Sequence, residues 1–541
     1  MSASAESALP AALRSMASAP RLLALGCLVA YLALSLSYLD VFPMVGEDEP
    51  WIAAAPVRLA EEGVYGSELF TGYYGVERHN YQHQPVYPLL QAGVFKVFGV
   101  SVRTMRLLPV AFGLALLVAV FLIGRQAGDE RVGALAVLLM VSVSVAVSDR
   151  ATGILFLDRV RINRYDIAVP VFGLFAMWAF NRAWRGQVAT WYAPGVLTGL
   201  ASLSHLYGIF WLPVFLLPLL RRRGWSGLGE RPVWQLLAGC LTPWLPWAGY
   251  VASGWTDYVG QMRFVAPRFD LLSPSFYLDN VLHGGGPISG DWAVYTLGSL
   301  SADQIGAWTM VIAVPLAVGA MLWPAAGRRQ PAAALLAASL VTQTLLFLLL
   351  LAVKTVNYMI ALWPMAVLCV AWLGVRVWDR RGVWPTRLAA VVLAVAVVGE
   401  GVARITAVRK SAAATTSYEW FTGEVARCIP EGSRVLGLQH YWLGLRQYPF
   451  RTWVAAINFA TPLYYHEPMT LDDALERIDP DVVLIDRYMA QFFRDVADPA
   501  DPLHRFSLGF ERFLARRGAT ERCVVDGRDY GEMRVIEVRR P

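Results

Sequence analysis

Charged residues are scarce in this sequence. They make up 16% of its 541 residues, whereas a soluble globular protein usually carries about 25%. The charges that are present gather between apolar runs, and about twenty apolar residues suffice for a helix to cross a bilayer. This pattern argues against a large soluble enzyme with buried helices and predicts a polytopic membrane protein.

Signatures of several other protein classes are missing. The five cysteines have no metal-type spacing, and Cys-x-x-Cys does not occur. There is no P-loop, no dinucleotide-binding fingerprint and no visible internal repeat. The net charge of +6 does not indicate nucleic-acid binding, because the arginines are spread over short loops instead of forming one patch.

The arginines between the apolar runs predict an orientation, since cytoplasmic loops are enriched in Lys and Arg. With the N-terminus inside, every loop predicted as cytoplasmic is basic, including Arg182 with Arg185 and the run 221–223. The stretch 190–220 is long for one helix and short for two, so we interpret it as two arms meeting near His205. A single span there would reverse the predicted orientation of every later span and loop. The predicted spans are 21–39, 107–126, 131–149, 164–183, 190–206, 207–220, 233–252, 306–324, 332–352, 356–376 and 385–405.

These spans predict a mainly α protein with about eleven transmembrane helices in the cell membrane, its N-terminus cytoplasmic and its C-terminus outside. The predicted parts are a cytoplasmic tail, a transmembrane domain with two large outer loops, and an extracytoplasmic C-terminal domain. Their bounds are 1–20, 21–407 with loops 40–106 and 253–305, and 408–541.

The C-terminal domain has the pattern of a small α/β fold. Residues 434–438 and 481–485 are short apolar runs typical of strands, and 471–477 has the pattern of a helix. Cys428 and Cys523 both fall in this domain. If it lies outside the membrane they could form a disulfide, and the alternative is two unrelated thiols.

Three adjacent carboxylates, Glu47, Asp48 and Glu49, directly follow the first predicted span. They repel one another, and a low-dielectric membrane nearby makes the repulsion larger. A solvated charge run at a helix start is the alternative, favoured by the helix dipole and by Pro50 in the first turn. The cluster by itself does not decide between a site and a helix start.

A second charged segment runs from 158 to 166 at the outer mouth of the fourth predicted span. It contains Arg159, Arg161 and Arg164, and so departs from the rule that outer loops are poor in arginine. Clustered guanidinium groups suit a phosphate or a carboxylate. Asp166 heads an apolar stretch, where an ionisable group is costly and therefore a functional candidate; an ion pair with Arg161 or Arg164 is the structural alternative.

Four more polar or aromatic candidates lie on the same predicted face. His205 is at the apex of the two arms, Lys354 precedes the span that contains Tyr358, and His83 lies in a turn of the first outer loop. Each has a structural explanation, such as a snorkelling lysine at the interface. Their convergence on one face nevertheless predicts a site that binds an anionic lipid headgroup and transfers a proton.

The motifs resemble the GT-C superfamily of polyprenyl-phosphate-sugar glycosyltransferases, in particular its branch of protein mannosyltransferases and aminoarabinose transferases. An Asp-Glu pair after the first span, a turn closing the outer loop, an Arg-x-Asp before an apolar span and a late Lys-x-x-x-Tyr carry the resemblance. In this sequence they are Asp48-Glu49-Pro50-Trp51, His83-Gln84-Pro85-Val86, Arg164-Tyr165-Asp166 and Lys354 with Tyr358. The turn lacks the lysine that the family has there.

The resemblance implies that a sugar is transferred, with inversion, from a polyprenyl-phosphate-linked donor to an extracytoplasmic glycan, lipid or protein. It implies that Asp48 is the general base with Glu49 in support, and that Asp166 orients the sugar or shares a divalent ion with Glu49. No cofactor is expected to be required, a divalent cation could be held, and membrane lipids but no nucleic acid are expected as partners. The residues assigned to the donor phosphate are Arg161, Arg164, His205, Lys354 and Tyr358, and those assigned to acceptor or loop contacts are His83 and Trp51.

A polyprenyl-lipid or proton-coupled transporter is the alternative function, because membrane carboxylates and arginines also serve carriers. The absence of an inverted repeat and the large outer loops favour chemistry at a surface over transport.

Overall fold

A computed structural model describes residues 18–46, 48–145, 152–263, 265–282, 304–323, 330–353, 355–380, 384–499, 501 and 503–539. The described part is mostly helical with a small sheet near the C-terminus, as predicted. The helices before residue 283 are α1 (Ala19–Leu36), α2 (Asp48–Glu62), α3 (Val86–Phe98), α4 (Val102–Ala127), α5 (Glu130–Ser142), α6 (Leu155–Val160), α7 (Ala168–Trp184), α8 (Tyr192–Ser202), α9 (Trp211–Arg223), α10 (Arg231–Leu241), α11 (Trp244–Ser253), α12 (Trp255–Met262) and α13 (Pro274–Leu282). Those that follow are α14 (Ile305–Leu322), α15 (Pro331–Leu350), α16 (Val356–Met359), α17 (Trp363–Asp379), α18 (Trp384–Ala414), α19 (Tyr418–Cys428), α20 (Trp453–Phe459), α21 (Leu471–Ile478), α22 (Arg487–Asp495) and α23 (His504–Arg516).

Six helices within the described part are long and apolar enough to cross a membrane. Large apolar side chains on their outer surfaces, such as Leu316 and Val395, are exposed, which is costly in water and suits contact with lipid. The chain is therefore an integral membrane protein. The orientation of its termini and the count of eleven spans stay predictions. The six helices cover Ala19–Leu36, Val102–Ala127, Tyr165–Trp184, Ile305–Leu322, Pro331–Leu350 and Arg387–Cys428.

Several predicted spans are interrupted helices. The stretch 190–220 breaks between α8 and α9, at a 3₁₀ turn that begins directly after His205, so the predicted break is confirmed. The predicted span 233–252 also divides, into α10 and α11, with Pro243 at the start of the second helix. Proline lacks the N–H that would continue the first helix and is tolerated where a new one begins.

The sheet contains five strands in the order β2-β1-β3-β5-β4. Strand β1 pairs in parallel with β2 and β3, whereas β5 pairs antiparallel with β3 and β4. The runs predicted as strands near 435 and 483 form β1 and β3, and the predicted helix near 474 is α21. Cys428 and Cys523 form a disulfide that ties α19 to β4. The strands are β1 (Val435–Gly437), β2 (Phe450–Thr452), β3 (Val482–Ile485), β4 (Thr520–Gly527) and β5 (Gly531–Glu537).

The first outer loop and the C-terminal domain share one apolar core. Ala53 and Ala54 of α2 are buried in the same cluster as Phe421 and Trp453 of the C-terminal domain. Polar contacts cross the junction as well, including an ion pair of 2.8 Å between Arg446 and Glu61. The helix that begins with Asp48 is consequently packed against the C-terminal domain on one side and against the transmembrane helices on the other.

Candidate active site

Asp48 is the first residue of α2, and its side chain is 38% exposed. A carboxylate in the first turn of a helix is stabilised by the unpaired N–H groups and the positive end of the dipole. Its predicted companion Glu47 lies outside the described residues. Asp48 is therefore a surface-accessible carboxylate in a fixed position.

Arg164 joins Asp48 to the second predicted carboxylate. One of its terminal nitrogens donates to Asp48, and its Nε donates to Asp166 Oδ2 over 2.8 Å. Tyr207 donates its hydroxyl to Asp166 Oδ1 over 3.2 Å. Asp166 is 2% exposed, so its charge is balanced by the guanidinium. The ion pair that was the structural alternative for Asp166 is therefore present. Because Arg164 contacts both carboxylates, it also brings Asp166 close to Asp48.

Glu49 faces away from Asp48 and is engaged by a residue that the sequence analysis did not select. Arg106, which is 0% exposed, donates from Nη2 to Glu49 Oε1 over 2.6 Å and from Nε to Oε2 over 2.8 Å. The backbone N–H of Asn163 also donates to Oε2, over 2.8 Å. Both oxygens are occupied in a buried ion pair, so the contacts of Glu49 are those of a structural residue. Its predicted support of Asp48 and its predicted share in a divalent ion stay predictions.

Arg161 also has a structural environment. Its guanidinium donates to the backbone carbonyls of Leu34, Ser37 and Phe42, the last two over 2.7 and 2.8 Å. These carbonyls lie at and beyond the C-terminal end of α1, where helical carbonyls lack intrahelical partners. The contacts do not support the predicted role of Arg161 in phosphate binding.

Three of the remaining candidates, His83, His205 and Tyr358, line a cavity of about 110 Å³, which we call the donor cavity. It is lined by His83, His205, Tyr165, Tyr358 and Arg268, among others. The rings are close to one another, with centroids of His205 and Tyr358 at 5.3 Å and of His83 and Tyr165 at 5.6 Å. The structure therefore brings together residues that are far apart in the sequence.

His83 is buried in the wall of the donor cavity. Burial lowers the pKa of its ring from the ordinary 6.5 to about 3, with further lowering by the charge of Arg164 and by His205. A neutral imidazole at physiological pH offers one N–H donor and one acceptor nitrogen. Its Nδ1 is buried and has no hydrogen-bond partner among the described residues.

Trp51 connects the helix of Asp48 to the donor cavity. Its indole N–H donates to Gln82 Oε1 over 3.2 Å, and its ring meets the ring of His83 edge-on at 5.2 Å. Gln82 and His83 both line the cavity. Trp51 and His83, which were predicted to make loop or acceptor contacts, thus connect the helix of Asp48 to the donor cavity.

Lys354 lies outside the described residues. Its neighbours Leu351, Ala352 and Val353 line the donor cavity, so the chain reaches the site directly before it. The role of Lys354 in binding phosphate stays a prediction.

Two cations of the site were not selected from the sequence. Arg268 lines the donor cavity, and Arg106 holds Glu49. Both lie on the predicted outer face, where arginine is unusual, and Arg106 also directly precedes a predicted span. Within the described residues, no three His, Cys, Asp or Glu side chains converge as a metal site, and the expectation about divalent cations stays a prediction.

The sequence and the fold are similar to those of known glycosyltransferases. Residues 82–250 match the dolichyl-phosphate-mannose-protein mannosyltransferase family, which is less than half of the chain. No curated protein matches the sequence. The matched region contains His83, Asp166 and His205 but not Asp48 or Tyr358.

Solved structures resemble the chain over nearly its whole length. ArnT from Cupriavidus metallidurans, in a crystal structure with bound undecaprenyl phosphate, has a TM-score of 0.60 at 15% identity and covers 97% of this chain and 100% of its own. The archaeal oligosaccharyltransferase AglB from Archaeoglobus fulgidus, in complex with an inhibitory peptide and a dolichol-phosphate, has a TM-score of 0.55 at 14% identity and covers 88% of this chain and 71% of its own. The chain therefore has the GT-C fold, and its predicted resemblance to the mannosyltransferase and ArnT branch is confirmed.

Proposed function

We propose that this protein is a membrane glycosyltransferase that moves a sugar from a polyprenyl-phosphate-linked donor to an extracytoplasmic acceptor with inversion. The observation that carries the proposal is the position of Asp48, a partly exposed carboxylate tied through Arg164 to Asp166. Arg164 and Asp166 flank Tyr165, which lines a cavity that also contains Arg268 and polar rings. A glycosyl transfer of this kind needs a base on one side of the sugar and anion stabilisation on the other.

The donor cavity suits the phosphate of a lipid carrier. The leaving phosphate gains negative charge as the bond to the sugar breaks, and preorganised donors in a desolvated site stabilise that charge. Arg268 supplies a guanidinium there, and His205, His83 and Tyr358 supply polar groups. Lys354, which follows the lining residue Val353, is proposed as a second cation. The undecaprenyl phosphate bound to ArnT and the dolichol-phosphate in complex with AglB support a lipid-linked donor in general terms.

Asp48 is proposed as the general base. A hydroxyl becomes an effective nucleophile when a carboxylate within hydrogen-bond reach takes its proton as the bond to carbon forms. Attack opposite the departing phosphate inverts the anomeric carbon in a single displacement. Arg164 is a positioning residue in this scheme, because it holds Asp48 in place and connects it to Asp166, which is proposed to orient the sugar.

The proposed location of the reaction is the outer face of the membrane. The basic loops argue for a cytoplasmic N-terminus, and the disulfide between Cys428 and Cys523 suits an oxidising compartment. This orientation can be tested with single cysteines introduced on the surface of the C-terminal domain. A membrane-impermeant reagent should label them in intact cells.

Asp48→Asn provides the test of the mechanism. Vesicles containing the protein are supplied with polyprenyl-phosphate sugars and with envelope glycans, lipids and proteins as acceptors, both extracted from the source cells. Mass spectrometry follows conversion of the donor to free polyprenyl phosphate. Loss of a general base lowers rates by about 10²- to 10⁴-fold, so transfer should fall at least by about 10²-fold. Binding of undecaprenyl phosphate should persist.

Glu62→Gln is the matched control, since Glu62 ends the same helix and makes a surface ion pair with Arg58. It should transfer sugar at the wild-type rate. Undiminished transfer by the Asp48→Asn protein would show that Asp48 is not the base.

A further inference from the structure

A second cavity, which we call the tail cavity, lies between the start of the first outer loop and the C-terminal domain. Its volume is about 290 Å³, and its walls include Gly46 from the loop and His440, Arg487, Tyr488 and Tyr530 from the C-terminal domain. None of these residues takes part in the mechanism proposed above. The cavity nevertheless combines a cation, a histidine and aromatic rings in one enclosed place.

His440 is a buried histidine held in a set orientation. It is 3% exposed, and its Nε2 lies 3.5 Å from Asp486 Oδ2. Asp486 is itself fixed, because it accepts from the hydroxyl of Tyr441 over 3.1 Å and caps α22 by accepting from the N–H of Met489 over 2.9 Å. The other ring nitrogen, Nδ1, is buried and has no hydrogen-bond partner within the described part of the chain. A buried polar atom left without a partner costs free energy unless a ligand or water satisfies it.

Arg487 is the cation of the tail cavity. Its guanidinium lies over the ring of Tyr488 at 4.7 Å and donates to the Tyr488 hydroxyl over 2.8 Å. Among the described residues it forms no ion pair with a carboxylate, and its Nε is buried without a hydrogen-bond partner. A guanidinium with donors to spare is suited to binding a phosphate or a carboxylate through two hydrogen bonds.

The tail cavity is adjacent to the proposed base. The backbone N–H of Val45 donates to the hydroxyl of Tyr530 over 3.3 Å, which ties the loop to the C-terminal domain. Gly46 lies two residues before Asp48, and two residues of extended chain span at most about 7 Å. A side chain added at Gly46 would meet no atom within 4 Å, so the space beside the loop is open.

We infer that the tail cavity binds the acceptor, and that this acceptor is an anionic sugar bearing a phosphate or a carboxylate. This inference rests on the proposed function. Arg487 receives the anionic group, and the half-exposed ring of Tyr488 contacts the sugar ring. With Nε2 of His440 directed at Asp486, the free Nδ1 accepts a hydrogen bond from a hydroxyl of the sugar. An acceptor held there is positioned to present a hydroxyl to Asp48 from the side of the C-terminal domain, while the donor enters from the membrane side.

Binding without turnover tests the inference. The full-length protein in detergent is first saturated with undecaprenyl phosphate to fill the donor cavity, and its thermal unfolding is then followed during titration with three probes. Glucose 6-phosphate and methyl β-glucuronide carry the two kinds of anionic group, and methyl β-glucoside is the neutral control. We expect a saturable rise in Tm with at least one anionic sugar and a much smaller rise with the neutral one, and the stronger anionic probe distinguishes phosphate from carboxylate.

Arg487→Gln should weaken binding of the effective probe by at least about tenfold, the effect of losing a charged hydrogen-bond partner. The matched control is Arg494→Gln, an exposed arginine of the same helix, which should bind like the wild type. Tyr488→Ala, at a half-exposed position, provides a second variant if Arg487→Gln does not fold. Equal binding by the cavity variants and the control, or no binding of either anionic sugar by the wild type, would overturn the inference.

This outcome is separable from that of the proposed function. The Asp48→Asn protein should bind the anionic sugar as the wild type does, because the base is outside the tail cavity. Failure of anion binding together with loss of transfer in Asp48→Asn rejects the acceptor inference alone. Anion binding together with full transfer in Asp48→Asn rejects the proposed base alone.

Discussion

Two ion pairs lie side by side where the first outer loop meets the membrane, and they differ in almost every respect. Arg106 and Glu49 form a closed pair with side chains 0% and 3% exposed. Arg164 and Asp48 form an open one, in which the carboxylate is 38% exposed and the guanidinium is shared with Asp166. The two carboxylates are neighbours in the sequence.

The difference follows from the geometry of the helix. Successive residues of an α-helix point about 100° apart, so when Glu49 faces the protein interior, Asp48 faces the opening. The buried carboxylate of Glu49 stabilises structure through its ion pair with Arg106, whereas an accessible carboxylate in a fixed position can exchange a proton with a ligand. Neighbouring acidic residues can therefore have unrelated roles, and burial decides which role each takes.

Breaking the closed pair should cause the largest change, a loss of stability of the folded protein. Arg106→Gln leaves Glu49 buried without a counter-charge, which typically costs about 3–5 kcal/mol. We expect a large loss of thermal stability, measured by unfolding of the purified protein in detergent. Arg103→Gln, at an exposed position of the same helix, is the control and should unfold like the wild type.

The double variant Glu49→Gln/Arg106→Gln sharpens this result. It removes the unpaired charge, so it should be more stable than Arg106→Gln alone. If the single variant is as stable as the wild type, the pair has no structural role and Glu49 returns as a candidate for catalysis.

Loosening the open pair should affect catalysis more than stability. Arg164→Lys keeps the charge but loses the planar fork that reaches two carboxylates at once, and a displacement of about 1 Å at a reacting group can lower the rate by about 10²-fold. We expect kcat in the vesicle assay to fall by about 10- to 10²-fold, with little change in the binding of undecaprenyl phosphate.

The control for this variant is Arg131→Lys. Arg131 also lies between two aspartates, with its guanidinium 2.7 Å from Asp129 and 2.8 Å from Asp379, but on the predicted inner side. Equal losses of activity in both variants would mean that Arg164 acts through general stability and not by positioning Asp48.

The smallest expected change is in the pH dependence of stability, and it concerns His83, which lies between the open pair and the donor cavity. The pKa of His83 is lowered to about 3 in the folded protein. Between pH 6.5 and that value, His83 is therefore protonated in the unfolded chain but neutral in the folded protein. The stability associated with neutral His83 is thus fully present above pH 6.5 and is lost as the pH falls towards 3, by up to about 1.4 kcal/mol for each pH unit.

His83→Gln should therefore show a shallower loss of stability than the wild type between pH 6.5 and 4.5, followed by thermal unfolding. His466→Gln, which replaces an exposed histidine of the C-terminal domain, is the comparison and should follow the wild type. An identical slope in the His83 variant would contradict a neutral, buried ring.

Much of the architecture was predictable from local patterns. Apolar runs of membrane-spanning length, the break near His205 and the two apolar runs that form β1 and β3 all depend on residues close together in the chain. The broken helix at Pro243 was not predictable from proline alone, because Pro56 and Pro109 lie inside continuous helices. The candidate residues Asp48, Asp166, His205 and Tyr358 were selected because polar groups beside a membrane are costly and rarely without a reason.

By itself, the sequence determined that this is a mainly α membrane protein with a small C-terminal sheet, because composition and periodicity are set along the chain. Its motifs supplied the resemblance to the GT-C superfamily and the prediction of which face carries the polar residues. Only the tertiary structure decided that Glu49 pairs with a buried arginine and that Arg161 donates to backbone carbonyls. It also left Asp48 accessible and placed Arg268 in the wall of the donor cavity. Partnership and burial depend on segments that are distant in the sequence, such as Arg106 and Glu49 or Arg487 and Gly46, and no local pattern encodes which of two adjacent side chains will face a cavity.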